Sequence, residues 1–150
     1  MYKLSSTSTE RLNGVLPILK VIIEKAISAP DCPEDFGIPQ FGGLRTEEDQ
    51  AKLYAIGRTE EMGRKPVTYT DGVRKKSNHQ AKADGYGHAF DVYIYCHKTK
   101  RASWNVERLT TLANHLIKIA ALNGVVLEWG GNWKTFKDYP HFEYKPTNLI

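Results

Sequence analysis

The sequence predicts an α+β fold in one domain covering residues 1–150. Helical periodicity opens the chain and returns late. The short alternating stretches that look like strands mix with the helices without a regular βαβ rhythm. No internal repeat, low-complexity tract or linker splits the chain, and 150 residues is the length of one ordinary domain.

Apolar residues at Leu12, Val15, Leu16, Leu19, Ile22, Ile23, Ala26 and Ile27 suit an amphipathic helix over 12–27. Pro17 either kinks it or opens a second helix at its first turn, where proline sacrifices no hydrogen bond. Pro30, Pro33 and Pro39 mark an irregular approach to a short strand around 36–44. Thr46 reads as an N-cap, with Glu47, Glu48 and Asp49 at the positive end of a helix running to about Ile56. Residues 57–87 read as a long loop rich in glycine, lysine and polar side chains, a kind of segment that is commonly functional or mobile. Over 88–95 the chain alternates as one strand, with Phe90, Val92 and Ile94 on one face and Asp91, Tyr93 and Tyr95 on the other. Ser103 is the candidate cap of the clearest helix, which carries Val106, Leu109, Leu112, Ala113, Leu116, Ile117 and Ala120. Gly124 closes it where a positive φ is needed. Two further strands are expected over 125–129 and 140–144.

Hydrophobic residues at 41% and charged residues at 25% exclude wholesale disorder. No apolar run approaches the roughly 18 residues of a membrane helix, so no membrane partner is expected. The first ten residues are polar and lack a signal-peptide core, which predicts synthesis in the cytosol without signal-peptide export. Lysine and arginine number 21 against 17 acidic residues, and this mild excess favours an anionic polymer such as nucleic acid or bacterial cell wall. The basic residues are scattered, and the densest cluster, Arg74-Lys75-Lys76, reads as a solvated loop, which argues against a nucleic-acid face. Cys32 and Cys96 make no disulfide framework, and without a CxxC pair no thiolate metal site is expected.

Of the five histidines, His115 falls within the long helix and reads as a surface or packing residue. His97 and Cys96, as strand neighbours, point to opposite faces and suit no shared metal. His79, Asp91 and His141 stand apart. Asp91 is a carboxylate in an apolar and aromatic strand, costly there unless paired or bound to a cation. Two imidazoles and one carboxylate suit zinc and leave a fourth position for water. A zinc hydrolase also needs a general base, and both Asp138 and Glu128 are open to that role. Arg45, after Gly42-Gly43-Leu44 at a strand end, is placed to grip a carbonyl or carboxylate.

Ser77-Asn78-His79 followed by Gly87-His88-Ala89-Phe90-Asp91 resembles the SxH…GxAxD signature of the zinc peptidases that cut bacterial peptidoglycan. That family includes D-alanyl-D-alanine carboxypeptidases and phage L-alanyl-D-glutamate endolysins. Trp129-Gly130-Gly131-Asn132-Trp133 and Asp138-Tyr139-Pro140-His141-Phe142 are similar to its WGGxW…DxPHF segment. Gly43-Leu44-Arg45-Thr46, Gln50, Leu53-Tyr54 and Gly57-Arg58-Thr59 resemble its GxRTxxxQxxLYxxGRT segment. The resemblance implies a small antiparallel sheet carrying a zinc site and flanked by helices, as in hedgehog-type and D-Ala-D-Ala peptidase domains. It implies one zinc held by His79, Asp91 and His141, with Asp138 as the catalytic carboxylate and Arg45 orienting or polarising the substrate carbonyl. Ser77 matches the serine that opens the motif and is expected on the substrate side. Trp129, Trp133 and Tyr139 are expected either to wall the cleft or to pack in the core. The gap between His79 and Asp91 is longer than the family's, with 80–86 inserted, so His88 rivals His79; the serine two residues before His79 favours His79.

The function implied is that of a phage-type endolysin, a monomer hydrolysing the L-alanyl-D-glutamate bond of peptidoglycan, with neither nucleic acid nor membrane as partner. Such an enzyme waits in the host cytoplasm and acts on the periplasmic wall after release. The alternatives are a D-alanyl-D-alanine carboxypeptidase and a zinc-bearing wall-binding domain without turnover, as in the hedgehog-type signalling domain. Asp138 speaks against the last.

Overall fold

The computed structural model describes residues 1–146. Ser5 caps a short first helix, α1 (Ser6–Arg11), its hydroxyl accepting the Ser8 N–H at 3.0 Å. The chain then turns, and α2 (Pro17–Ser28) begins with its proline at the first position, so of the two roles open to Pro17 it starts a new helix. Helix α1 went unpredicted because its sequence, STSTER, carries no apolar stripe.

Strand β1 (Phe36–Gly37) is only two residues long, shorter than the expected 36–44. Beyond it the chain folds back on itself at Pro39, whose carbonyl accepts the Gly42 N–H, and Phe41 takes a positive φ of 64°. No ladder continues through such a turn. Helix α3 (Glu47–Ala55) starts as expected at Thr46, which forms a reciprocal capping box with Asp49.

The alternation over 88–95 holds, with Phe90, Val92 and Ile94 fully buried, but it is not one strand. Strand β2 (Ala89–Asp91) and strand β3 (Tyr93–Cys96) belong to different sheets. The switch falls at Val92, whose N–H donates to the Pro140 carbonyl at 3.0 Å. Strand β3 lies between β1 and β4 (Arg101–Ser103) in one antiparallel sheet. Strand β2 pairs with β6 (His141–Lys145), which pairs in turn with β5 (Val126–Trp129), in the other. The expected small antiparallel sheet is therefore two. Exposed β4 was not foreseen, since Arg101 and Ala102 offer no apolar alternation.

Helix α4 (Val106–Leu122) is capped by Asn105 rather than Ser103. The Asn105 side chain accepts the Arg108 N–H at 3.0 Å, while the Ser103 hydroxyl accepts the N–H of Asn105 itself. Gly124 takes φ +74° beyond the helix end. The core fills the space between α2, α4 and the sheets. Of the two places open to His115 the structure shows the buried one, its Nε2–H donating to the Ala26 carbonyl at 2.8 Å. Phe90 on β2 stacks on Phe142 on β6, centroids 5.3 Å apart. That packing locks the register that sets Asp91 directly opposite His141. Among the described residues, no helix is long and apolar enough to cross a membrane.

Candidate metal centre and cleft

Asp91 and His141 are paired residues on neighbouring strands, and His79 joins them from the loop before β2. The Nε2 of His79, the Nδ1 of His141 and Oδ1 of Asp91 form a triangle with sides of 3.2, 3.3 and 3.2 Å. Each histidine is oriented from behind. The Nδ1–H of His79 donates to the Gly43 carbonyl at 2.9 Å, and the Nε2–H of His141 donates to Glu143 Oε1 at 2.8 Å. With those nitrogens protonated, neutral imidazoles turn two bare lone pairs and a carboxylate oxygen toward one point. Only a proton or a cation placed among them relieves that arrangement, and the donor set suits zinc. Burial holds His79 below the usual imidazole range although Asp91 opposes it. Burial also works against a charged His141, but hydrogen bonds to Asp91 and Glu143 outweigh it and raise the group to about 9. For Asp91 burial is likewise outweighed, here by the two histidines, and its carboxyl falls well below the usual range.

Asp138 approaches the same centre from the loop before β6. Its backbone N–H donates to the Gly130 carbonyl at 3.0 Å, and its own carbonyl accepts the His141 N–H at 3.1 Å. The approach requires glycine at 130, because a Cβ there would collide with the Asp138 carbonyl. Among the described residues none donates a hydrogen bond to the Asp138 carboxylate. Burial and the Asp91 charge push its pKa to about 6, against the opposing pull of His141 and Arg45. Arg45 is more committed than the sequence suggested. Its guanidinium donates to Asp91 Oδ2 at 3.0 Å, to the Phe41 carbonyl at 2.8 Å and to Gln50 Oε1 at 3.2 Å.

A cleft crosses this centre in two halves, which share Arg45, Val67, Thr68 and Asp138. One half, about 390 Å³, touches Asp91 and is walled by Pro39, Phe41, Leu53 and Trp104. The other, about 460 Å³, touches His79 and His141 and is walled by Ser77, Trp133, Lys75, Lys76, Tyr69 and Phe136. The loop over 57–87 contains neither helix nor strand, as expected, yet it is pinned. Fully buried Gln50 donates to Thr68 and Thr70, Arg58 donates to the carbonyls of Tyr54 and Thr68, and the Arg45 N–H reaches the His79 carbonyl.

Ser77 lines the cleft and also turns the chain into His79, its hydroxyl accepting the His79 N–H at 3.1 Å. Trp133 lines the cleft against His141, ring centroids 5.1 Å apart. The other two aromatic residues do not wall it. Trp129 is a core residue donating its indole N–H to the Tyr139 carbonyl at 2.7 Å, and Tyr139 packs edge-on against it. His88 lies outside the triangle, bonded to Asp84 at 2.7 Å and set edge-on against Tyr144. Glu128 sits opposite Glu143 in the β5–β6 register and lines neither half of the cleft. Sequence reasoning missed Glu143, whose signal was its place two residues after His141 on the same strand face. It also missed Asn78, which donates to Glu143 Oε2 at 2.7 Å.

A family profile described as D-alanyl-D-alanine carboxypeptidase matches residues 70–144. The peptidoglycan L-alanyl-D-glutamate endopeptidase CwlK of Bacillus subtilis (strain 168) is 33% identical over 107 residues. The match takes in 69% of this chain and 58% of that protein, so the chain spans less than two thirds of that relative's length. The crystal structure of the Serratia marcescens L-Ala D-Glu endopeptidase ChiX superposes with a TM-score of 0.70 at 28% identity. It covers 97% of this chain and 90% of its own.

Proposed function

The chain belongs to the D-alanyl-D-alanine carboxypeptidase family, and on that premise we propose that it is a zinc peptidase cutting the stem peptide of bacterial peptidoglycan at the L-alanyl-D-glutamate bond. The observation that carries the reading is the triangle of His79, Asp91 and His141 at the meeting point of the two cleft halves, with the Asp138 carboxylate beside it. The similarity to two L-Ala-D-Glu endopeptidases supports the choice of bond.

His79, Asp91 and His141 would hold one zinc ion. Bound there, zinc supplies the Lewis acidity that polarises a carbonyl and brings the pKa of water toward neutrality. Asp138, its pKa near 6, accepts the proton as water attacks the scissile carbonyl carbon. The water oxygen bonds to that carbon, the C–N bond breaks, and Asp138 returns the proton to the departing D-Glu nitrogen. Arg45 spends three of its five N–H donors on Phe41, Gln50 and Asp91, which leaves two to steady the developing oxyanion. Ser77 and Trp133 shape the wall beside the ligands.

The finer reading is a phage-type endolysin, a monomer carrying one zinc, stored in the host cytoplasm and freed onto the wall at lysis. It rests on the resemblance of the arginine, histidine and tryptophan motifs to phage enzymes. Digestion of purified peptidoglycan tests the chemistry, with and without a chelator and with mass analysis of the fragments. New L-Ala carboxyl and D-Glu amino ends, lost on chelation and restored by zinc, are expected. Release of free D-Ala would move the assignment to a carboxypeptidase. Zinc binding without cleavage would leave a wall-binding domain.

A further inference from the structure

The two halves of the cleft differ in chemistry, and so do the two sides of the bond. The half at Asp91 is walled by Pro39, Phe41, Leu53 and Val67, and Trp104 stands at its rim. Trp104 is 51% exposed, on the short connection between β4 and α4, with Tyr93 behind it at 6.2 Å between centroids. A half-exposed indole face beside an apolar cleft suits the C–H face of a sugar ring. The half at His79 and His141 holds Lys75 and Lys76. The turn that leads into them is held by Asp71, whose Oδ1 accepts the N–H groups of Val73, Arg74 and Lys75 at 2.9, 2.8 and 3.3 Å. Among the described residues, no carboxylate lies within ion-pair distance of either lysine. The neighbouring Arg74 does not line the cleft, so the basic cluster is divided between cleft and solvent.

In an L-alanyl-D-glutamate stem the acyl side of the bond is uncharged, an alanine joined through a lactyl group to an amino sugar. On the amine side, D-Glu is linked onward through its side chain, so its α-carboxylate stands on the carbon bearing the released nitrogen. The geometry points to a fixed substrate polarity: the sugar-linked acyl side lies in the Trp104 half, and the D-Glu α-carboxylate lies against Lys75 and Lys76. This rests on the L-alanyl-D-glutamate reading and adds to it two specificity-determining subsites, one for a glycan and one for an anion.

The test is steady-state kinetics on three substrates: the bare stem peptide, the same peptide joined to its disaccharide, and the bare peptide with the D-Glu α-carboxylate as amide. The wild-type protein is expected to prefer the sugar-linked over the bare peptide and the acid over the amide. Trp104→Ala should bring the sugar preference to within about twofold while leaving the acid preference in place, and Trp104→Phe should restore most of it. Lys75→Glu with Lys76→Glu should raise KM for the acid about tenfold and abolish the acid preference while leaving the sugar preference. Arg74→Glu should move neither ratio. Exchanged effects, with Trp104 governing acid against amide and the lysines governing the sugar, would overturn the polarity. Cleavage of the L-Ala–D-Glu bond with neither ratio responding would overturn the subsites alone. Products cut at another bond would overturn the underlying reading itself.

Discussion

His141 gives its Nε2–H to Glu143 Oε1 at 2.8 Å, and that bond turns its Nδ1 toward Asp91 Oδ1, 3.2 Å away. Both residues sit on the same face of β6, two positions apart, so one strand supplies a candidate ligand and the group that orients it. Glu143 is itself held by Asn78, which is held in turn by Lys82 at 2.8 Å. Removing an orienting carboxylate of this kind weakens metal binding by about 10–100-fold. Glu143→Ala is expected to lose zinc affinity on that scale, measured by competition with a chromophoric chelator. Glu143→Gln keeps an acceptor oxygen and should lose less. Equal affinity in all three proteins would leave Glu143 without an orienting role.

Asp138 carries the proton in the proposed mechanism, and its carboxylate is left free by its neighbours. Asp138→Asn keeps the shape but removes the basic oxygen. The expected result is unchanged zinc content and an unchanged melting temperature, with kcat for peptidoglycan cleavage down by about 10²–10⁴-fold. Full activity in that variant would take Asp138 out of the mechanism and send the search for the base back to the cleft.

The sequence named the three side chains that the structure brings together, because each stands in an ordered motif. It could not show their juxtaposition, which depends on the β2–β6 register set by Phe90 against Phe142. Periodicity read the faces of 88–95 correctly, since side chains alternate whatever the backbone pairs with. It missed the change of sheet at Val92 because that change lies in one backbone N–H taking the Pro140 carbonyl. Ser103 and Asn105 are both good capping types, and only the position of the first helical turn decides between them. Trp129 stayed open between cleft and core for a related reason: an indole N–H needs a partner in either place, and here it found the Tyr139 carbonyl.

The lengthened segment between His79 and Asp91 left two histidines in competition. The structure puts His79 in the triangle at 1% exposure and His88 outside it, against Asp84. His79→Ala is expected to abolish stoichiometric zinc binding, whereas His88→Ala should bind one zinc per chain with near-native affinity. Equilibrium dialysis with metal analysis distinguishes them, and the reverse pattern would move the first ligand to His88.

Gln50 links α3, Arg45 and the long loop, and it is fully buried with both ends of its amide engaged. Truncation strands the Thr70 carbonyl and frees one face of the Arg45 guanidinium. Gln50→Ala should cost about 1–3 kcal/mol of stability, read from the denaturant midpoint. Because the same bonds pin the 66–72 stretch, trypsin should cut the folded variant faster at Arg58 and Arg64, whereas Lys65, followed by Pro66, offers no cut. A trypsin rate equal to wild type would show that other contacts order the loop.

The two cysteines should separate by reactivity. The Thr99 side chain and backbone and the Arg108 guanidinium beside Cys96 draw its thiol down to about 6, whereas burial pushes the Cys32 thiol up. A lowered pKa means that Cys96 is thiolate above pH 6 and protonated only below it, so its alkylation rate should level off by about pH 7. An unperturbed thiol would still be gaining rate through about pH 8.5. Peptide mapping after brief iodoacetamide treatment at pH 7 should therefore find label on Cys96 well before Cys32. Arg108→Ala, which also releases Glu34 from its paired hydrogen bonds, should shift the Cys96 midpoint upward. A Cys96 midpoint near 8.5 in the wild-type protein would show that the neighbouring donors do not act on the sulfur.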